Sequence, residues 1–177
     1  MQGSSCGGII YLGTLNQKAG MKKTQTKKAK REYVYRGKSR LEHYKAGAFV
    51  VRCLDSRFWK IAKRFIKSLG LKHIDPAFPA GGSKVFSSPF DEHETEHYLG
   101  QIAKSIGLHH TERVMLFSHH DCGAYGGFVH FGNDPAKELE FHRGEHRKAV
   151  AAIKKRFPRL KVETYFIDPD GIIETTS

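Results

Sequence analysis

Cysteine is scarce. Three cysteines in 177 residues are too few for a disulfide scaffold and suit a reducing compartment, so a cytoplasmic location is expected. Long apolar runs are missing too. Ala48-Phe49-Val50-Val51 is typical of the longest, whereas a bilayer span needs about 20 such residues. This excludes a transmembrane helix, and no membrane partner is expected. Residues 1–20 carry one charge, Lys18, with no basic stretch ahead of an apolar one, which does not fit a secretory signal. No internal repeat is visible.

What is present is a globular composition. Hydrophobic residues make up 39% and charged residues 27%, and the length is enough for one domain with a real core. The net charge of +12 resembles a nucleic-acid signal until it is localised. Residues 1–45 hold 11 Lys/Arg against 2 acids, and the remaining 132 residues hold 19 against 16. Residues 1–45 therefore read as a basic, disordered N-terminal segment, and 46–177 as the folded domain. The lysines from Lys22 to Arg31 have no interleaved aromatic to stack on bases, so nucleic acid is not an expected partner. Met21, just ahead of this run, is a second candidate start.

From residue 46 the pattern alternates. Ala48 to Cys53 reads as a buried strand. Ser56 to Leu69 places Phe58, Ile61, Ala62, Phe65, Ile66 and Leu69 at helical spacing, with Gly70 as the stop. Ile74 to Phe78 is a weaker strand interrupted by Pro76. Asp91 to Ile106 is a helix with acids in its first turn, stopped by Gly107. Arg113 to Ser118 is a second strand, Ala136 to Phe157 a long helix, and Val162 to Ile167 a last strand. This alternation predicts an α/β fold, a mostly parallel β-sheet flanked by helices. Ligands of such sheets bind beyond the carboxyl ends of the strands.

Both clear strands end in unusual residues: Cys53-Leu54-Asp55-Ser56-Arg57 and His119-His120-Asp121-Cys122-Gly123. Thiolate and imidazole donors together suit tetrahedral zinc. Cys53, His119 and Cys122 would supply three ligands, with water or Asp55 in the fourth position. A free cysteine is often only a small buried hydrophobe, but two cysteine-bearing motifs at neighbouring strand ends favour the metal.

These residues resemble the β-class carbonic anhydrases, whose Cys-x-Asp-x-Arg and His-x-x-Cys-Gly motifs are matched, in order, by Cys53-x-Asp55-x-Arg57 and His119-x-x-Cys122-Gly123. Ala80-Gly81-Gly82 stands where that family has Ala-Gly-Gly or Ala-Gly-Asn. The preceding pair is Phe78-Pro79 rather than Arg-Asn, and residues 1–45 have no counterpart of the family's N-terminal helices. The resemblance implies a zinc enzyme that reversibly hydrates carbon dioxide to bicarbonate through a zinc-bound hydroxide, working as a homodimer or higher homo-oligomer. It further implies that Arg57 holds Asp55 off the metal while Asp55 orients the nucleophile. If the pair breaks, Asp55 takes the fourth position. Relatives that hydrolyse carbonyl sulfide or carbon disulfide keep the same ligands and offer an alternative. A non-catalytic, zinc-stabilised protein is another.

Other residues invite weaker readings. Gly81 and Gly82 let backbone approach the substrate or simply form a turn. His120 is a proton relay or a turn residue. Gly123 to Gly127 is expected to open the next helix and aim N–H groups at the thiolates. His93/His97 and His142/His146 have metal-compatible spacing but no third ligand, so solvated helix faces are expected.

Overall fold

A computed structural model describes residues 32–176; the basic run expected to be disordered lies largely outside them. The chain divides into two units, with the second beginning at Leu41. Residues 32–40 form no helix or strand.

The second unit is the expected α/β fold. Its sheet has the order β2-β1-β3-β4-β5. Strands β1 (Ala48–Val51), β2 (Ile74–Ala77), β3 (Arg113–His119) and β4 (Lys161–Ile167) run parallel, and β5 (Ile172–Glu174) is antiparallel to β4. Pro76 sits in β2 opposite Val50. That is tolerated because β2 is an edge strand with one bonded side.

Alternation along each strand divides the core between two faces. On one face lie Ala48, Val50, Met115, Phe117, Tyr165 and Ile167, covered by helix α1 (Trp59–Ser68) through Ala62 and Ile66. Lys60, Lys63, Arg64 and Lys67 face water, so this helix presents one apolar stripe, as its spacing predicts. On the other face lie Phe49, Val51, Val114, Leu116 and Val162. They are covered by a short α2 (Lys84–Ser87), by α3 (Glu92–His109) and by α4 (Pro135–Arg156). Phe117 is 1% exposed, and truncating a phenylalanine so placed typically costs about 3–5 kcal/mol.

Several boundaries differ from expectation, each for a local reason. β1 ends at Val51, leaving Cys53 beyond the ladder and free to turn toward the site. The Ser56 to Leu69 helix opens with a 3₁₀ turn, Ser56–Phe58, capped by the Asp55 carboxylate on the Arg57 N–H. Gly107 does not stop α3; the helix continues to His109 and ends where His110 takes the left-handed conformation (φ 52°). Gly144 leaves α4 unbroken. Gly123 to Gly127 does not open α4 but forms part of a turn segment, and α4 begins at Pro135 behind the Asp134 cap.

The largest correction concerns His142 and His146. They were expected on a solvated face and are 0% and 1% exposed. Helix α4 lies flat on the sheet, and its inward stripe runs Glu138, His142, Glu145, His146, Ala149, Ile153. His93 and His97 are exposed, as expected.

Candidate metal centre

Parallel strands deliver their carboxyl ends to one edge, and β1 and β3 are direct neighbours. Cys53 follows β1, His119 is the last residue of β3, and Cys122 follows one turn later. Their ligating atoms lie within 4.8 Å of one another, and all three residues are buried. The three residues singled out from the two motifs are thus brought together.

The donor set fits a zinc ion. The His119 Nδ1–H donates to the His120 carbonyl at 2.8 Å. A carbonyl only accepts, so Nδ1 carries a proton, and Nε2 is the ring nitrogen left to face the cluster. Nε2 is buried with no oxygen or nitrogen partner, which is costly unless a ligand satisfies it. Phe58 stacks on the ring at 4.7 Å between centroids and fixes its plane. Contact with Cys122, together with the backbone N–H groups of Asp55 and Gly81, draws Cys53 far below the usual thiol range. Contact with Cys53, together with burial, pushes Cys122 up. Two cysteine sulfurs and one imidazole nitrogen form a soft, borderline donor set of the zinc type.

Asp55 stands beside this cluster, outside it. Its Oδ1 accepts from the Arg57 backbone N–H at 2.8 Å, and its Oδ2 from Arg57 Nε at 2.9 Å. Oδ2 is 4.0 Å from His119 Nε2. The Arg57 contacts hold the Asp55 carboxyl below the usual carboxylate range. Arg57 also reaches across to the second motif. Nη1 donates to Asp121 Oδ2 and Nη2 to the Asp121 carbonyl, each at 3.0 Å. One guanidinium therefore ties together the two loops that carry the candidate ligands, using the planar fork that lysine lacks.

Asp121 lies between two ligand candidates in the chain, and its role as Arg57's second partner emerges from the tertiary structure. It takes φ 55°, which aspartate tolerates better than most residues. Glu138 was missed altogether. This first-turn residue of α4 is 1% exposed, and it accepts from His120 Nδ1 at 2.6 Å and from the Asp121 N–H at 2.8 Å. His120 is thereby anchored to α4. A signal was available, because Glu138 lies on the helical stripe that leads to Ala149 and Ile153.

Gly81 and Gly82 bring their loop's backbone against the site. The Gly81 N–H donates to Cys53 Sγ at 3.3 Å. Gly82 has φ 59°, and a Cβ there would lie 2.1 Å from the Phe117 carbonyl oxygen, so only glycine fits. The N–H groups of Ala124 and Tyr125 approach Cys122 and partly counter its upward shift, which matches the donors expected from this segment. Next to the cluster, Arg52, Cys53, Asp55, Phe58, Phe117, Ser118, His119 and Ile167 line a cavity of ≈ 10 Å³. That is space for roughly one water molecule. Among the described residues, no helix is long and apolar enough to cross a membrane.

The chain is similar to known proteins in sequence and in fold. Two rickettsial proteins of unassigned function are similar in sequence. One, from Rickettsia bellii, is 29% identical over 140 residues, covering 75% of this chain and 85% of its own. The other, from Rickettsia conorii, is 28% identical over 140 residues, covering 75% of each. Among solved structures, a β-carbonic anhydrase from Trichomonas vaginalis superposes with a TM-score of 0.55 at 13% identity, covering 80% of this chain and 88% of its own. A carbonic anhydrase from Glaciozyma antarctica gives 0.50 at 14%, covering 76% and 84%. At these identities the likeness is one of fold. Residues 44–177 match the sequence family described as "Putative carbonic anhydrase", and the chain belongs to that divergent, β-carbonic-anhydrase-like family.

Proposed function

We propose that the protein is a zinc enzyme that reversibly hydrates carbon dioxide to bicarbonate. The observation that carries this reading is the separation of roles at one sheet edge. Cys53, His119 and Cys122 converge on a point, while Arg57 holds Asp55 back from it. Three protein ligands with an acid restrained nearby is the pattern of a catalytic site, which keeps a position open, rather than of a closed structural one.

Bound zinc would lower the pKa of a water ligand from roughly 15.7 to about 7, supplying a nucleophile near neutral pH. The chain's own residues do the rest. Arg57 fixes Asp55 through backbone and side-chain bonds. Asp55, kept ionised, accepts a hydrogen bond and thereby orients the attacking group. Phe58, Phe117 and Ile167 line an apolar wall suited to a small nonpolar gas. Gly81 spends its N–H on Cys53 and moderates the thiolate charge, with the Gly81–Gly82 loop as the backbone nearest the substrate. Glu138 and Arg57 hold the His119–Cys122 turn from opposite sides. The reading includes assembly into a homodimer or larger homo-oligomer; a strictly monomeric mass in light scattering would count against that part.

The test is stopped-flow carbon dioxide hydration from about pH 6.5 to 9, on protein with its zinc content quantified. Turnover that rises with pH is expected. One zinc per chain with no turnover at any pH would overturn the reading. Hydrogen sulfide release from carbonyl sulfide by that same protein would transfer it to the related hydrolases.

A further inference from the structure

Arg52 immediately precedes the first metal-ligand candidate, and the mechanism above does not use it. Its guanidinium carbon sits 4.2 Å from the Trp59 ring centroid and 4.1 Å from that of Phe78. The two rings stand edge to face at 89°, forming a corner around the cation. Nη1 donates to the Cys53 carbonyl at 2.9 Å. Nε is buried and has no hydrogen-bond partner. Among the described residues Arg52 pairs with no carboxylate, whereas Arg57 is shared between Asp55 and Asp121. Arg52 also lines the small cavity together with Asp55 and His119.

This is a clamped, partly desolvated guanidinium with no carboxylate partner among the described residues, lining the cavity beside the candidate metal centre. Cys53 and Asp55 line the same cavity, beside the position where a neutral gas would become an anion. A planar oxyanion leaving or entering there is repelled by Asp55 and needs a cation with an uncommitted N–H donor, which Arg52 keeps at Nε. We propose that Arg52 is the anion-binding residue of the site and recognises bicarbonate, or the planar thio-analogue that carbonyl sulfide hydrolysis would yield, through its fork of N–H donors. The assignment rests on the hydrase reading of the same site.

The experiment compares zinc-loaded wild type, Arg52→Met and Arg52→Lys, with equal zinc content verified. Bicarbonate binding is measured by calorimetric titration at fixed pH and ionic strength, and the KM values for carbon dioxide and for bicarbonate are measured separately. Met keeps an apolar stem between the two rings and removes the charge. The expected result is bicarbonate binding weakened about tenfold or more in Arg52→Met, as for loss of a charge-assisted bond, with KM for carbon dioxide changed less than about twofold. Arg52→Lys should fall between, because it keeps the charge and loses the fork; it carries the test alone if the Met variant does not fold. Wild-type affinity in both variants, no measurable binding by wild type, or equal losses for both substrates would each overturn the assignment. If wild type binds bicarbonate and Arg52→Met does not, yet no carbon dioxide is hydrated, the hydrase reading fails and the anion site stands.

Discussion

The two ends of the sheet each bring a histidine and an aspartate together, and they use them in opposite ways. At the amino end, Asp75 in β2 is saturated. It accepts from Tyr44 at 2.8 Å, from Ser105 at 2.6 Å and from His109 Nδ1 at 2.8 Å, while Tyr44 stacks on His109 at 4.3 Å. At the carboxyl end, Asp55 and His119 stay 4.0 Å apart, with Asp55 turned to Arg57 and His119 Nε2 left without an oxygen or nitrogen partner. A cluster whose polar groups satisfy one another is a staple. A cluster that keeps a buried, unpartnered ring nitrogen beside two cysteine sulfurs is prepared for something else. The same residue types thus serve structure at one end and chemistry at the other, and the difference lies in which bonds are left open.

Breaking the open end should have the largest effect. His119→Ala is expected to reduce zinc from one per chain to near zero and to bring carbon dioxide turnover to background, read by metal analysis and stopped flow. Asp55→Asn should sharpen the comparison by sparing the metal. Zinc stays at one per chain while turnover falls on the order of 10²- to 10³-fold, the usual loss for one preorganised group. Full activity in that variant would sink the role given to Asp55.

Next comes acid. Burial pushes His142 down to about 3 and His146 down to about 4. Their folded pKa values lie below the unfolded value of about 6.5, so the unfolded chain binds the extra protons. Stability is full above about pH 6.5 and is lost as pH falls toward 4, by up to about 1.4 kcal/mol per pH unit per histidine. Urea unfolding should show a loss on the order of 3 kcal/mol between pH 7 and 5, and His142→Phe should remove about half of that slope. An unchanged slope would contradict the burial. Smallest is the closed end. Asp75→Asn should cost about 1–2 kcal/mol of stability and leave zinc content and turnover unaltered; a loss of activity there would erase the contrast between the two ends.

Much of this was legible in the residues. The alternation of β-branched runs with amphipathic stretches predicted the parallel sheet, because strand and helix periods differ. Cys53, His119 and Cys122 were visible because cysteine is rare here and two such motifs flank strands. Helix α4 misled, because its inward face carries glutamates and histidines that count as polar in any periodicity reading. Glu138 is satisfied by His120 and Asp121, and His146 by Thr175. Those partners lie 17 to 29 positions away in the chain, so no local pattern reports them. Arg52 was passed over for the same reason, since its environment is assembled from α1 and the loop after β2.

The sequence alone determined the main strands and helices and the three metal-ligand candidates, since each depends on local spacing and intrinsic chemistry; the Asp55–Arg57 pair followed from the resemblance of its motif, and α2 and β5 were too short to be legible. Only the tertiary structure decided that Arg57 binds Asp121 as well as Asp55, that His142 and His146 are internal, and that Arg52 lines the site without a carboxylate partner. Those are facts about distance between residues remote in sequence, and distance is set by how the helices close over the sheet.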